Sequence, residues 1–340
     1  MKVTAQWIAD QCGVSRGTVD RVVNGRPNVA PEVRERVQKL INEAGYKTPT
    51  QRQAEKAGGG EFQIGVILPS WDTFFIRRMR EGLRAAVRLR GIMGINIIVV
   101  ELKNRSHRSY FEAIRRMEKQ HIDGLILTAP DTFAMAEEIN RLTANGIRVV
   151  TCDSDVQQSK RIFHIGQDML RSGRIAAGLL APFIEGEEIL VVTGNREFTA
   201  HGLRVRGFVD RMYELYGDGV DIQVIESVEQ YGLTYDGVLR HVRLHPQLCA
   251  IYMANESVKG CMDALKRARL PHRLHVVCHD LTPCARKYLK EGKLDFIIDQ
   301  DFAAQTTRAV EILATTLRTG ELPRRQIEYI HTSIITRELL

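Results

Sequence analysis

The 340-residue chain has no stretch approaching the ~20 consecutive apolar residues that a membrane-spanning helix needs. Its first residues hold no apolar core of the kind that a secretory signal carries. Six cysteines, Cys12, Cys152, Cys249, Cys261, Cys278 and Cys284, are scattered without any CxxC spacing. That excludes a disulfide framework and points to reduced thiols in a cytoplasm. The GxSxG, HExxH and Walker-loop signatures are all missing, so no common hydrolase or nucleotidase chemistry is indicated. No heptad pattern follows Leu322, which weighs against an assembly larger than a dimer. A surplus of acid is also absent. The net charge is +7, and residues 1–60 hold ten Lys/Arg against six Asp/Glu, a net of +4. More than half of the excess therefore lies in the first sixth of the chain, as in a nucleic-acid module attached to a nearly balanced body.

Within that basic end, residues 4–46 divide into three short helices. Thr4 is placed to cap a first helix, whose Trp7, Ile8 and Cys12 share one face. Gly13 breaks it, because glycine takes positive φ without steric cost. Ser15 caps a second helix, Arg16 to Asn24, with Val19, Val22 and Val23 turned inward, and Gly25 ends it. Pro31 suits the first turn of a third helix, where its missing N–H costs nothing. Val33, Val37, Leu40 and Ile41 form the apolar stripe of that helix, and Gly45 stops it. A helix, a glycine turn and a second capped helix make the helix-turn-helix layout, whose second helix enters the major groove of DNA by its N-terminal end. Residues 47–61, KTPTQRQAEKAGGGE, are polar and carry three consecutive glycines, the texture of a hinge or linker.

From residue 62 onward, near-continuous apolar runs alternate with amphipathic helical stretches. The runs are FQIGVILP, INIIVVEL, DGLILTAP, IRVVTCD, RIFHIGQD, EILVVTG, CAIYMAN, LHVVCHD and LDFIIDQD. This alternation predicts parallel sheets covered by helices on both faces, with right-handed crossovers. The body is long for one such unit, so two lobes are expected. Ligands of open α/β sheets lie beyond the carboxyl ends of the strands. On topology alone the site candidates are the polar residues there: Asp72, Asp131, Asp153, Asp168, Asn195, Asn255, Glu256, Asp280 and Gln300. His272, His275, Cys278, His279 and Cys284 look like metal ligands. Residues 274–279 read as a strand whose side chains alternate faces, however, and no tetrahedral spacing is evident, so neither a metal nor another cofactor is called for. Asp153 and Asp280 would suit a glycosidase-like acid pair in principle, but binding alone explains them and the chain is read as no enzyme.

GVSRGTVDRVVNGRPNVAPEVRERV resembles the headpiece of the lactose-repressor (LacI/GalR) family, whose usual pattern is GVSxxTVSRVLNGxxxVSxxTRxRV. The matching residues are Gly13, Val14, Ser15, Thr18, Val19, Arg21, Val22, Asn24, Gly25, Val29, Arg34, Arg36 and Val37. Asp20 stands where the family has serine; an acid there either repels a nearby phosphate or pairs with a basic neighbour. The resemblance implies base contacts at Arg16 and Gly17, and at Arg21 a turn further on. A bidentate arginine–guanine pair discriminates by about 1–3 kcal/mol, whereas Gly17 has no side chain to read with. Ser15, Thr18 and Asn24, together with Thr4, are expected to face the DNA as phosphate contacts. A solvated surface arginine is the alternative for Arg16. Hinge helices of this family wedge leucines into the minor groove. No leucine stands between residues 47 and 61, so that lever is not carried over.

The body resembles the ribose-binding-protein type of periplasmic fold, which is also the effector core of the same family, where two lobes close over a small ligand, usually a sugar. WDTFF is similar to the family's SNPFF turn, which implies that Phe74 and Phe75 line the pocket, with Asp72 replacing asparagine. VVTCDSD gives Asp153 as a ligand-binding aspartate, followed by Ser154 where ribose-type binders often have arginine. RVRGF matches RxxGF and gives Arg204. YMANES matches the AxND turn and gives Asn255, with Glu256 in place of aspartate. VVCHDLTP gives Asp280, and DFIIDQD puts Gln300 against sugar hydroxyls. Carboxylates, amides and arginine suit hydroxyls that both donate and accept, and aromatic faces suit the apolar side of a ring. The alternatives are helix caps for Asp153 and Asp280, a lobe-internal ion pair for Arg204, and plain core for Phe74 and Phe75.

The expected architecture is an all-α helix-turn-helix headpiece (1–46), a linker (47–61) and an α/β effector-binding and dimerisation body (62–340) of two doubly wound parallel-sheet lobes. The first lobe is expected at 62–163 plus 295–323 and the second at 164–294 plus 324–340. The crossings are expected near Arg161–Gly166, Gly292–Phe296 and Leu322–Ile330. The expected function is a homodimeric, operator-binding transcription regulator, a repressor, controlled by a neutral monosaccharide or polyol. The alternative is a sugar sensor or scaffold that acts through protein contacts and carries a vestigial headpiece.

Overall fold

Three helices open the chain, α1 (Ala5–Cys12), α2 (Arg16–Val23) and α3 (Pro31–Glu43), in a computed structural model that describes residues 3–48, 61–69, 73–87, 94–102, 104, 106–184 and 188–340. Asp72 and most of the expected linker lie outside the described residues. The Thr4 hydroxyl accepts the Trp7 N–H at 3.1 Å, and the Ser15 hydroxyl accepts the Thr18 N–H at 3.1 Å. Each thus satisfies one of the donors that a helix start leaves open. Gly13 ends α1 at φ 62°, and α3 starts on Pro31 without a side-chain cap. Ile8, Ala9, Cys12, Val19, Val22, Val37 and Ile41 bury themselves between the helices; Val23, expected inside, is only half-buried.

The chain divides near Glu61 into two compact units. In the larger one, two parallel sheets have the same winding. The first contains β1 (Phe62–Pro69), β2 (Ile95–Leu102), β3 (Gly124–Leu127), β4 (Arg148–Cys152), β5 (Phe163–Gly166) and, far along the chain, β11 (Ile327–Tyr329). Its strand order is β2-β1-β3-β4-β5-β11. The second contains β6 (Glu188–Thr193), β7 (Asp221–Glu226), β8 (Leu248–Met253), β9 (His275–His279), β10 (Phe296–Gln300) and β12 (Thr332–Ile335). Its order is β7-β6-β8-β9-β10-β12, with only β12 antiparallel. β1 and β8 are buried almost throughout, as parallel strands covered on both faces must be, whereas the edge strand β7 is mostly exposed.

Helices α4 (Phe74–Ala86) and α12 (Phe302–Thr319) cover one face of the first sheet through Ile76, Met79, Val310 and Leu313. Helices α5 (His107–Lys119) and α6 (Phe133–Ala144) cover the other through Tyr110, Met117 and Ile139. In the second lobe, α7 (Met169–Leu180) and α8 (Thr199–Tyr216) pack one face, and α9 (Tyr231–Leu244), α10 (Val258–Ala268) and α11 (Pro283–Lys290) the other. The lobe boundaries correct the sequence reading. β5 and β11 pair in the first sheet and β10 in the second, so the chain crosses after Gly166, after Gln300 and after Tyr329. The first and third crossings fall within their expected windows, Arg161–Gly166 and Leu322–Ile330. The second falls beyond Gly292–Phe296, because a strand belongs to whichever sheet it hydrogen-bonds, and its apolar run does not reveal that. Among the described residues no helix is long and apolar enough to cross a membrane.

Candidate functional site

The carboxyl ends of both sheets face one cleft with a cavity volume of about 50 Å³, where ligands of open α/β sheets lie. Two aspartates enter it from equivalent positions. Asp153 directly follows β4 at φ 65°, and Asp280 directly follows β9 at φ 66°. The Asp153 N–H donates to the Ile165 carbonyl and the Asp280 N–H to the Ile298 carbonyl, both at 2.9 Å. Each aspartate is thus pinned to the next strand of its own sheet. The left-handed turn, tolerated best by Gly, Asn and Asp, ends the strand and carries the carboxyl into the cleft. Neither residue caps a helix. Thr282 caps α11, and the helix nearest after Asp153 is capped by Asp168.

Arg204 reaches the same space from α8. Its placement depends on close packing of α7 against α8. A Cβ on Gly207 would stand 2.0 Å from the Leu170 carbonyl oxygen, and one on Gly173 would stand 2.1 Å from that of Arg204. The glycine of the RVRGF segment therefore serves the helix contact that presents the arginine. Arg204 is 3% exposed and donates to Gln167 Oε1 at 3.3 Å and to the Ala254 carbonyl at 3.5 Å. Its buried Nε has no hydrogen-bond partner, and no carboxylate among the described residues forms an ion pair with it.

Among the described residues, carboxyls outnumber cations here. Asp153, Glu229, Glu256 and Asp280 line the cleft with Arg204 and His201. Burial pushes Asp153 up to about 7, with Asp280 and Glu229 adding to the rise and Arg204 and His201 opposing it. Burial likewise raises Asp280 to about 6, against the pull of Arg204 and a Gln300 hydrogen bond. Glu256 rises to about 8, through burial first and then the charges of Asp280 and Glu229. Acids held partly protonated near neutrality can both donate and accept, which matches a hydroxyl's own dual capacity.

Of the residues expected at the site, Phe75, Asp153, Arg204, Asn255, Asp280 and Gln300 line the cleft. Phe74 does not; it lies beside Phe75 at the start of α4, half-buried. Phe75 meets Phe302 edge-on at 4.9 Å between ring centres. Gln300 acts on Asp280, donating at 3.1 Å while its own oxygen accepts from Gln305. Asn255 donates to the Ser227 hydroxyl and accepts the Ser257 N–H, both at 3.0 Å. Of the other strand-end candidates, Asn195 and Glu256 line the cleft, whereas Asp168 is a helix cap and Asp131 accepts the Gln157 N–H. Thr128, Phe198, His201, Glu229 and Phe302 were not foreseen. His201 is three residues before Arg204 on α8 and could have been found by helical spacing. Glu229 follows β7, whose polar, exposed sequence hid it as a strand.

Hydrogen bonds tie the lobes across the cleft rim. Glu256 Oε1 accepts the Phe75 N–H at 2.9 Å, and the Thr199 hydroxyl accepts the Asp155 N–H at 2.7 Å. Ser154, where arginine is common in ribose-type binders, turns away from the ligand space and accepts the Ala200 N–H at 3.1 Å.

On the headpiece, Arg16, Gly17 and Arg21 are exposed on α2, as are Ser15 and Asn24, while Thr18 and Thr4 are partly covered. Asp20 pairs with Arg26 at 3.3 Å. Asn24 donates at 2.9 Å to both the backbone carbonyl and a carboxylate oxygen of Asp20. Both amide protons of Asn24 are thereby engaged, so the expectation that it donates to a phosphate meets two competitors, of which a serine at position 20 would remove only the carboxylate.

Residues 64–322 match the model of a periplasmic binding protein domain, and residues 5–49 that of the bacterial regulatory proteins of the lacI family. The chain is 23% identical over 288 residues to catabolite control protein A of Priestia megaterium, covering 83% of each chain. It is also 23% identical over 267 residues to the ribose import binding protein RbsB of Bacillus subtilis, covering 77% of this chain and 84% of that one. Among solved structures, a solute-binding protein of Burkholderia graminis in complex with D-arabinose superposes with a TM-score of 0.75 at 20% identity, over 82% of this chain and 96% of its own.

Proposed function

The chain belongs to the periplasmic-binding-protein domain family and opens with a lacI-family regulatory headpiece, and from that membership we propose a DNA-binding transcription regulator, a repressor, whose operator affinity follows the occupancy of the cleft. The observation that carries this reading is the placement of Asp153 and Asp280, one from each lobe, around the guanidinium of Arg204. A ligand that engages both aspartates must bridge the lobes, so it binds the closed arrangement more tightly than the open one. That difference in affinity is what a ligand needs in order to shift a conformational equilibrium.

The ligand class follows from the charge. Among the described lining residues, four carboxyls against one arginine and one histidine disfavour an anionic ligand such as a sugar phosphate. Hydroxyls in pairs suit the carboxyls, Arg204 and Asn255, while Phe75, Phe198 and Phe302 offer apolar faces to ring carbons. A neutral monosaccharide or polyol fits best. The headpiece would read bases through Arg16 and Arg21 at the N-terminal half of α2, with Ser15 and Thr18 at phosphates. A homodimer would set two headpieces on the half-sites of a pseudo-palindromic operator.

A thermal-shift screen of the full chain against neutral sugars, polyols, sugar phosphates and purines tests the cleft. A ligand at 100 times its dissociation constant stabilises by about 2.7 kcal/mol, and the shift should vanish in Arg204→Ala and Asp280→Asn. Replacing both Arg16 and Arg21 by alanine tests the DNA half. Loss of operator preference with an intact melt supports a regulator, whereas unchanged regulatory output in cells would favour a sensor that works through protein contacts.

A further inference from the structure

Three side chains that the cleft does not use converge at the far end of β6. Glu188 is the first residue of β6, whereas the cleft residue Asn195 follows the other end of that strand. His241 lies in the last turn of α9 and His245 is its C-cap. Being four apart, the two imidazoles share one face of the helix. His241 Nε2 is 3.2 Å and His245 Nδ1 2.7 Å from Glu188 Oε1, and one ligating atom from each residue lies within 4.8 Å of the other two. The two imidazole rings stack at 4.1 Å.

Not all of these contacts close as hydrogen bonds. Glu188 Oε1 and His241 Nε2 are buried and, despite their proximity, neither has a hydrogen-bond partner of acceptable geometry. Buried polar atoms are rarely left in that state. His245 Nδ1 does bond the second carboxylate oxygen at 2.9 Å, so the orphaned pair is the inner one. Glu188 brings a negative charge, and Asp221, opposite Glu188 in the adjoining strand, adds a second within electrostatic reach of His241.

We propose that Glu188, His241 and His245 bind one divalent transition-metal ion of the zinc, cobalt or nickel kind, which clips the end of α9 to the start of β6. Two imidazoles and a carboxylate suit these ions, whereas magnesium and calcium prefer all-oxygen sets. Three protein ligands leave a further position for water. HVRLH carries the histidine half of this signal in the sequence, but the carboxylate lies 53 residues earlier, so spacing alone does not disclose it. The denser His/Cys run at 272–284 does not form such a group; His275 stacks on Phe183 and His279 bonds Tyr252.

The test is titration of the chelator-stripped full-length chain with Co²⁺ alone at fixed neutral pH, read by calorimetry and by the visible ligand-field spectrum. The expected result is one equivalent bound per chain, with nitrogen-ligated absorption bands. That equivalent should weaken at least tenfold in both His245→Ala and Glu188→Gln. His245 is at the helix end and about one-third exposed, so its variant should fold even if the Glu188 variant does not; far-UV circular dichroism checks both. Cobalt uptake that is absent in the wild type, or equal in wild type and His245→Ala, would overturn the proposal and assign any binding to scattered surface histidines.

Discussion

At the scale of single residues, Asp153 and Asp280 show how much chemistry a strand end can place. Both are legible in the sequence as the acid that follows an apolar run, and so are Arg204, Asn255 and Gln300. The positive φ of the two aspartates is not legible, nor is the protonation that their shared burial imposes. That protonation has a pH signature. In an unfolded chain carboxyls lose their protons near pH ~4, but in the fold Asp280 keeps its proton to about 6, Asp153 to about 7 and Glu256 to about 8. These three acids therefore hold more protons in the folded chain than in the unfolded one across that window, and the stability they contribute falls as pH rises through it. Buried His164, His241 and His279, held below the usual imidazole range chiefly by burial, act in the opposite sense below the ordinary histidine value of about 6.5. Urea unfolding of the ligand-free protein from about pH 7 to about pH 9, above the histidine range, should show this fall, and Glu256→Gln should remove its upper part. Stability that rises over the same range would contradict the burial of these acids. On the headpiece, Asp20→Ser removes the carboxylate that pairs with Arg26 and accepts one of the two hydrogen bonds of Asn24. DNA binding should tighten without a change of preferred sequence, and the slope of log affinity against log salt should steepen by about one. An unchanged slope in filter-binding or anisotropy titrations would mean that neither group reaches a phosphate.

Among elements, the contact between α7 and α8 presents Arg204. The sequence shows RVRGF as a motif, but the reason for its glycine appears only when the Leu170 carbonyl is found 2.0 Å from where a Cβ would stand. Backbone cannot yield as a flexible side chain can, so Gly207→Ala should cost about 1–3 kcal/mol of stability in denaturant titrations and weaken ligand binding as well. Full stability in that variant would show that the helices can separate without penalty. Alternating apolar runs were enough to announce parallel sheets, because strands buried on both faces have no polar side to show. They could not assign β5, β10 or β11 to a lobe. The edge strand β7, half polar, escaped notice and took Glu229 with it.

For the whole molecule, the lobe-bridging hydrogen bond from the Phe75 N–H to Glu256 joins two residues 181 positions apart and favours a closed cleft. Glu256→Ala should open the ligand-free body, increasing its radius of gyration in solution scattering, and should lower ligand affinity even if the substituted side chain never touched the ligand. Identical scattering in the two proteins would remove Glu256 from the closing mechanism. The central claim, that cleft occupancy sets operator affinity, is tested most directly by measuring operator binding by fluorescence anisotropy with and without a ligand found in the thermal screen. In the wild type the ligand should change operator affinity by at least about fivefold, roughly 1 kcal/mol of coupling. In Arg204→Ala, operator affinity should stay intact and the response should disappear. A wild-type protein that binds the ligand in its cleft and holds its operator with unchanged affinity would contradict the claim.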